Sequence, residues 1–305
     1  MSLPPALTNR LACPWCGARV HLDEGSCGGC AKVFKIVERT VSWQDSHSER
    51  APLTPRRLAR IARYRLDPLA SPYSPLVALA ASRTRAYYER TLQDSGLARN
   101  WGEHYLPADL RPVDGPVLDH GCGRGRNVAL LRQLGYEVAA QDVASDVFWS
   151  RIGGAGFQCV PANAGRLPWA DGAFSLVLDF EVIGHFDEPA LVRHFEEIRR
   201  VLQPGGRWLI LEANSLGWAA RMPRRHYGRL HSLERVRSLA VALGFVEQRS
   251  GYEGFYAPVF PRLLNFLRKQ CAPWPMDLSD HDSWLARLTP ARRRALWQLL
   301  LARKP

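Results

Sequence analysis

A short apolar run in the middle of the chain ends in an acidic residue and a glycine-rich turn. Residues 116–118 lead into Asp119, glycines follow at positions 121, 123 and 125, and a helical apolar pattern covers 128–134 before Gly135. A strand, a glycine turn and a helix in this order bring backbone N–H groups close to a nucleotide-like ligand at the carboxyl edge of a parallel sheet. The segment therefore predicts an α/β fold with a ligand site at that edge.

A second acidic residue follows the next predicted strand, 137–141. Asp142 stands about 20 residues beyond the glycines, where a carboxylate can accept hydrogen bonds from both hydroxyls of a ribose. The glycines are spaced Gly-x-Gly-x-Gly, and Arg126 occupies the place of the third glycine of the dinucleotide enzymes. The pattern therefore indicates a nucleoside-like cofactor and a glycine loop that differs from that of the dinucleotide enzymes.

Four of the seven cysteines form two Cys-x2-Cys pairs with ten residues between them: Cys13 with Cys16, and Cys27 with Cys30. Four thiolates at this spacing can complete a tetrahedral zinc site with no open position, which is typical of a structural metal. The spacing predicts a zinc ribbon over residues 1–45, with strands at 18–22 and 32–37. A disulfide pair or a redox-active Cys-x-x-Cys remains an alternative, although an odd cysteine count does not suit a secreted disulfide framework.

The charge is unevenly distributed along the 305 residues. The net charge is +12, with +7 over 1–100, −5 over 101–220 and +10 over 221–305. Basic flanks fit nucleic acid, an anionic lipid surface, or simply solvated arginine-rich faces. A 46% hydrophobic content supports a sizeable core. We find no signal peptide and no run of about 18 apolar residues, so we expect a soluble, cytoplasmic protein.

Residues 46–100 are predicted to be a linker followed by helices. Five prolines punctuate the segment, and Arg56, Arg60 and Arg63 share one face of a short amphipathic helix. This helix can pack on the main domain or contact RNA or a membrane. A second helix is predicted to begin at 74–75 and to end near residue 92.

From about residue 101 to 305 the chain resembles the class I S-adenosylmethionine-dependent methyltransferases. The matching segments are 117–125, Asp142, 167–174 before the fourth strand, 199–206 before the fifth, 241–245 before the sixth, and the closing strand 296–303. The resemblance implies a Rossmann-like seven-stranded methyltransferase sheet preceded by the zinc ribbon. It also implies insertions on the substrate side at about 213–231 and 253–290.

The resemblance assigns the cofactor site residue by residue. Asp119 and the backbone at 121–123 would hold the methionine end of S-adenosylmethionine, Asp142 the ribose, and the segment at 163–164 the adenine. The complete predicted set is Asp119, Gly121, Cys122, Gly123, Asp142, Val143, Asn163, Ala164 and Phe180. Asn163 departs from the acidic residue usual at its position. Four aromatic residues, Tyr87, Tyr88, Trp101 and Tyr105, lie where such enzymes often place a lid, although aromatic residues at this place are more often part of the core than of a pocket.

The turn after the fourth strand carries the candidate catalytic residues, His185 and Glu181, and His185 is the preferred general base. A structural role for His185 is an open alternative, and His120 is interpreted as a packing residue. We expect a small-molecule substrate, possibly anionic or aromatic, because the segment 180–183 is typical of small-molecule enzymes. RNA methylation, with the ribbon and basic flanks binding RNA, is the main alternative. A cofactor-binding scaffold without catalysis is a third.

Overall fold

The computed structural model describes residues 9–20, 22, 25–37, 40–43, 95–143, 149, 152, 156–160, 164–216, 229–255 and 295–305. Several predictions fall outside these residues: the two helices of 46–92, Tyr87, Tyr88, Asn163, and most of both insertions. Among the described helices, none has the length and apolar character needed to cross a membrane.

The described elements alternate between strands and helices over most of the chain. In chain order they are β1 (Phe34–Val37), β2 (Thr40–Trp43), α1 (Ser95–Tyr105), β3 (Val117–His120), α2 (Arg126–Gln133), β4 (Val138–Asp142), β5 (Phe157–Cys159), β6 (Phe174–Phe180), α3 (Glu188–Val201), β7 (Leu202–Ala213), α4 (Leu233–Ala242), β8 (Val246–Phe255) and β9 (Ala295–Arg303).

The strands form one sheet in the order β1-β2-β5-β4-β3-β6-β7-β9-β8. The adjacent strands β2, β5, β4, β3, β6 and β7 pair with one another in parallel. Strand β9 is antiparallel to both β7 and β8. The predicted seven strands correspond to β3–β9. The amino-terminal hairpin raises the described sheet to nine strands, two more than predicted.

Helices cover both faces of this sheet. Successive residues of a strand point to opposite faces, and β6 shows this directly. Val177 belongs to the same buried apolar cluster as Leu191 and Phe195 of α3, whereas Leu178 belongs to the cluster that contains Trp101 of α1 and Leu131 of α2. The parallel strands are buried on both faces. Because they run in the same direction, their carboxyl ends lie at one edge of the sheet, where the loops that follow different strands meet.

The amino-terminal hairpin is part of the same sheet. Strand β2 pairs in parallel with β5, with Val41 opposite Gln158 and Ser42 opposite Cys159. The indole Nε1 of Trp43 donates to Oε1 of Gln158 at 2.7 Å, and both residues are buried. The unit with the four cysteines therefore adds two strands to the main sheet. The predicted boundaries at residues 45 and 100 remain predictions.

The predicted strand at 18–22 is wrong for the described residues of that segment. Cys13 donates its N–H to the carbonyl of Ala18 at 2.8 Å, so the chain turns back immediately after the first cysteine pair. Only an isolated bridge, Ala12 with Arg19, forms there. The hairpin forms instead between the predicted strand at 32–37 and a second strand, β2, that the pattern did not indicate.

Most other boundaries lie within about two residues of their predictions, β7 excepted. Helix α2 begins at Arg126, two residues early, and β7 begins at Leu202, five residues before the predicted position 207. The reason is that Leu202 already pairs with Phe174 of β6. Strand β8 continues to Phe255, so the first three residues of the predicted insertion 253–290 belong to a strand.

Candidate cofactor site and cysteine cluster

The loop between β3 and α2 contains three glycines in the left-handed region. Their φ angles are +63° at Gly121, +52° at Gly123 and +82° at Gly125, a conformation that costs glycine little and other residues more. A Cβ atom built at Gly123 would meet nothing within 4 Å. One side of the loop therefore faces open space, which a ligand can approach to contact distance.

Asp119 lies in β3 directly before this loop and is buried, with 1% of its surface exposed. Its Oδ1 accepts a hydrogen bond from Nδ2 of Asn127 at 3.4 Å, whereas its Oδ2 has no partner. Burial raises the pKa of the Asp119 carboxyl to about 7. A buried carboxylate with an unsatisfied oxygen is costly. A cationic ligand group, such as the amino group of a methionine moiety, would satisfy it.

Asp142 ends β4 and lies against the glycine loop. Its Oδ2 accepts the N–H of Gly123 at 2.8 Å, and its Oδ1 accepts the N–H of Val143 at 2.7 Å. A carboxylate oxygen can accept more than one hydrogen bond. The Val143 side chain is 62% exposed at this edge. This arrangement fits the predicted role of Asp142 as the residue that binds a ribose.

Two of the four predicted lid aromatics belong to the core. Trp101 and Tyr105 of α1 are buried, and their rings lie 6.3 and 5.4 Å from the ring of Phe180 at the end of β6. The Nε1 of Trp101 is buried without a partner. Both rings therefore pack against Phe180, and in the described structure Trp101 and Tyr105 are core residues.

The candidate catalytic residues lie in the turn after β6. Glu181 has a φ of +61°, which is unusual for a residue other than glycine. His185 ends the 3₁₀ turn Ile183–His185, and both side chains are exposed. A Cβ atom built at Gly121 would lie 2.4 Å from Val182 Cγ2. The turn is therefore directly beside the glycine loop.

Glu212 of β7 holds this turn and was not identified from the sequence. The residue is buried, its Oε2 accepts the N–H of Gly184 at 3.0 Å, and burial raises the pKa of its carboxyl to about 7. On the other side, the N–H of Arg229 donates to the carbonyl of Gly184 at 2.8 Å. The sequence carries one signal for Glu212: like Asp119 and Asp142, it is an acidic residue near the end of an apolar strand.

A buried polar cluster lies under the same edge, on the α3 face of the sheet. Asp179 of β6 contacts Nδ1 of His120 at 2.6 Å and Nε2 of His194 at 2.7 Å, and Nε1 of Trp208 donates to it at 2.8 Å. The interpretation of His120 as a plain packing residue is therefore incomplete, because its ring is held by Asp179. Asp179, His194 and Trp208 were not predicted to be site residues.

The cluster has the composition of a metal site, since the ligand atoms of His120, Asp179 and His194 lie within 4.8 Å of one another. Three N–H donors already satisfy the carboxylate, however. Burial by itself would raise the pKa of Asp179, but the two histidines outweigh it and hold the pKa well below its usual range. Burial lowers the pKa of His194, which favours a neutral ring donating from Nε2. A hydrogen-bonded network therefore accounts for the geometry.

The four cysteines predicted as metal ligands converge on one point. The Sγ atoms of Cys13, Cys16, Cys27 and Cys30 all lie within 4.8 Å of one another. Two of the distances, Cys13 to Cys30 and Cys16 to Cys27, are 3.5 Å. A disulfide needs about 2.05 Å, whereas thiolates about 2.3 Å from one tetrahedral zinc would be roughly 3.8 Å apart. The described separations are therefore too long for disulfides and close to those of a metal-bound set.

The surroundings of Cys13 oppose ionisation of its sulfur. Burial raises the pKa of the Cys13 thiol to about 12, so a thiolate would form there only beside a positive charge such as a metal ion. The N–H of Gly29 lies 3.3 Å from Sγ of Cys27, which is the backbone contact common in such turns.

The central segment of the chain matches a known family model. Residues 118–210 match the family described as "Methyltransferase domain". The matched segment begins one residue before Asp119 and includes the glycine loop, Asp142, the β6 turn and most of β7. Every described residue of the candidate cofactor site therefore lies within or beside it.

Curated relatives match over longer parts of the chain. An uncharacterized methyltransferase of Bacillus subtilis is 33% identical over 106 residues, 33% of this chain and 44% of that protein. A probable S-adenosylmethionine-dependent methyltransferase of Mycobacterium tuberculosis is 27% identical over 191 residues, 59% of this chain and 66% of that protein. The chain thus spans less than two thirds of the length of these relatives.

Solved structures are also similar. A SAM-dependent methyltransferase from Archaeoglobus fulgidus is 15% identical, with a TM-score of 0.48, over 69% of this chain and 92% of that chain. The N1-methyltransferase of 1,6-didemethyltoxoflavin from Burkholderia thailandensis is 17% identical, with a TM-score of 0.44, over 90% of this chain and 96% of that chain.

Proposed function

We propose that this chain is an S-adenosylmethionine-dependent methyltransferase that acts on a small molecule. The observation that carries the proposal is Asp119: a buried carboxylate with one unpartnered oxygen, next to a glycine loop that faces open space. The methyltransferase domain match over 118–210 supports the same conclusion.

In this proposal each element of the site binds one part of the cofactor. Asp119 pairs with the amino group of the methionine moiety, and the backbone of Gly121, Cys122 and Gly123 binds its carboxylate. Asp142 accepts hydrogen bonds from the ribose hydroxyls, and the segment containing Asn163 and Ala164 lines the adenine. Val143 and Phe180 contribute apolar contacts. The cationic amino group would lower the cost of burying the charge of Asp119.

When bound, S-adenosylmethionine supplies an electrophilic methyl group whose leaving group needs no protonation. The chain therefore acts mainly by orienting the acceptor in line with that methyl group and by excluding water. A general base is needed only where the acceptor carries a proton. His185 and Glu181 are the proposed candidates because their turn lies beside the glycine loop and is held by Glu212 and the backbone of Arg229.

The small-molecule class is proposed from the turn after β6. Enzymes that methylate exocyclic base nitrogens usually carry an Asn-Pro-Pro-Tyr-like tetrad there, whereas this chain has Phe180-Glu181-Val182-Ile183. The RNA alternative depends mainly on the basic segment at 56–65, which is outside the described residues, and it remains a prediction. A cytoplasmic location also remains a prediction.

Calorimetric titration with S-adenosylhomocysteine, the demethylated product of the cofactor, tests the proposed function. We expect one binding site per chain with a dissociation constant of roughly 1–100 μM, about −8 to −5 kcal/mol. The binding should be insensitive to an excess of NAD⁺, because the glycine loop departs from the dinucleotide spacing. No detectable binding to folded, metal-loaded protein would overturn the proposal.

We further propose that the four cysteines hold one structural zinc ion, as four sulfur ligands leave no open position for chemistry. Elemental analysis should find about one zinc per chain, and Cys27→Ser should reduce this severalfold because three sulfurs bind zinc more weakly than four. Cys159→Ser is the matched control, since Cys159 lies in β5 outside the cluster. A wild-type protein free of metal with its cysteines linked as disulfides would contradict the assignment.

A further inference from the structure

The segment that follows the predicted adenine residues is bound to the first cysteine pair. The N–H of Arg166 donates to the carbonyl of Pro14 at 2.9 Å, and Pro14 stands between Cys13 and Cys16. A Cβ atom built at Gly17 would lie 2.4 Å from the guanidinium of Arg166. The metal turn and the segment beginning at Ala164 are therefore in direct contact.

A second set of contacts runs from the same unit toward Asp142. The N–H of Ala12 donates to the carbonyl of Pro168 at 3.1 Å, and Leu11 forms a bridge with Trp169. The indole Nε1 of Trp169 donates to Oε1 of Gln141 at 2.8 Å, in the fully buried interior. Gln141 immediately precedes Asp142, so this path ends at the proposed ribose-binding carboxylate.

The strand ladder provides a third connection. Ser42 of β2 is opposite Cys159 of β5, and Cys159 is opposite Asp142 of β4. The N–H of Val160 also donates to the carbonyl of Asp142 at 2.9 Å. Three adjacent strands thus connect the hairpin that follows the last cysteine with the acidic end of β4.

Helix α3 holds the opposite side of the segment. The carboxylate of Glu197 accepts the N–H of Leu167 at 2.8 Å, and Nη1 of Arg200 donates to the carbonyl of Trp169 at 2.7 Å. The loop at 164–170 is thus fixed between α3 and the cysteine-bearing unit.

We propose that the metal-bound cysteine unit is a positioning element of the cofactor site, so that binding of zinc and binding of S-adenosylmethionine strengthen each other. The described part of this unit contains turns, isolated bridges and one hairpin, and a unit of this size takes its shape from the metal. Since it holds the chain on both sides of the adenine and ribose positions, an ordered unit removes part of the entropic cost of binding the cofactor. This inference rests on the proposed function.

The linkage can be measured with S-adenosylhomocysteine as the probe. Full-length protein is titrated by calorimetry in its zinc-loaded form, after zinc removal by a chelator under reducing conditions, and after zinc is restored. We expect affinity to fall roughly tenfold or more without zinc and to recover on reloading, within the 5- to 150-fold range of typical couplings. By reciprocity, saturating S-adenosylhomocysteine should raise zinc affinity by the same factor in competition with a chromogenic chelator.

Trp169→Phe tests the path without touching the metal. It keeps an aromatic ring but removes the N–H that reaches Gln141, so zinc content should be unchanged and affinity for S-adenosylhomocysteine should fall roughly 2- to 10-fold, the effect of one hydrogen bond. Ser175→Ala is the control, because its hydroxyl bonds the carbonyls of Gly115 and Pro116 at the other end of the sheet.

The outcomes separate the two proposals. Zinc-loaded protein that fails to bind S-adenosylhomocysteine refutes the proposed function. Zinc-loaded and zinc-free proteins that bind it equally, or zinc affinity that is unchanged by S-adenosylhomocysteine, refute the linkage alone. If the zinc-free form does not stay folded, the chelator competition and the Trp169→Phe variant, both performed on loaded protein, decide the question.

Discussion

Asp142→Ala is expected to weaken binding of S-adenosylhomocysteine by roughly 100-fold or more. The carboxylate is fixed at the end of β4 by the N–H groups of Gly123 and Val143, at 2.8 and 2.7 Å. Hydrogen bonds to a charged group contribute about 1.5–3 kcal/mol each, and two ribose hydroxyls would lose such bonds together. Removal of the carboxylate also frees Gly123, so the glycine loop is less well ordered before binding. Calorimetry measures the effect.

Glu247→Ala is the control for this experiment. Glu247 lies near the start of β8 and pairs with Arg237 at 2.7 Å, with 27% and 45% of the two side chains exposed. An exposed ion pair contributes little, so this variant should bind S-adenosylhomocysteine like the wild type. Binding by Asp142→Ala within threefold of the wild-type affinity would rule out the ribose role.

The largest effect on stability is expected for Asp179→Ala. The substitution leaves three buried N–H donors, on His120, His194 and Trp208, without their acceptor. Breaking a buried charged network by removing one partner costs about 3–5 kcal/mol, a large part of a typical free energy of unfolding of 5–15 kcal/mol. Urea unfolding followed by tryptophan fluorescence measures the loss.

Asp187→Ala provides the comparison. Asp187 caps α3 by accepting the N–H of Ala190 at 2.9 Å at an exposed position, and loss of such a cap costs about 1 kcal/mol. If Asp179→Ala costs no more than Asp187→Ala, the buried network contributes little and the interpretation is wrong.

Acid should reduce the difference between Asp179→Ala and the wild type. The pKa of Asp179 in the folded protein lies well below its ordinary value of 3.8. Its contribution to stability is therefore fully present above pH 3.8 and is lost as the pH falls toward the folded-state pKa. The two unfolding free energies should converge below about pH 4, provided that both proteins remain folded.

Local spacing explains which parts of the site were predictable. The strand, Asp119, the glycines and Asp142 all lie within 26 positions of the chain, from Val117 to Asp142, and each glycine was recognisable because its backbone conformation excludes most other residues. The cysteine pairs are equally local. The prediction of a strand at 18–22 was wrong for a local reason too, because the hydrogen bond from Cys13 to Ala18 closes a turn there.

Partners remote in sequence explain what was missed. Asp179 is 59 residues from His120, and Glu212 is 28 residues from Gly184. An acidic residue inside an apolar strand indicates only that its carboxylate must have a hydrogen-bond partner. Which partner it finds depends on strand register: His120 is opposite Asp179 only because β3 and β6 pair in parallel at that position.

The sequence by itself determined the α/β order, the glycine loop with its two acids and the cluster of four cysteines, because these follow from backbone preferences and residue spacing within short segments. Only the tertiary structure decided that the cysteine unit joins the sheet beside β5. That outcome depends on contacts such as Trp43 with Gln158, which are 115 residues apart. The free energy of such contacts exists only once both segments are packed, so no pattern along the chain can encode it locally.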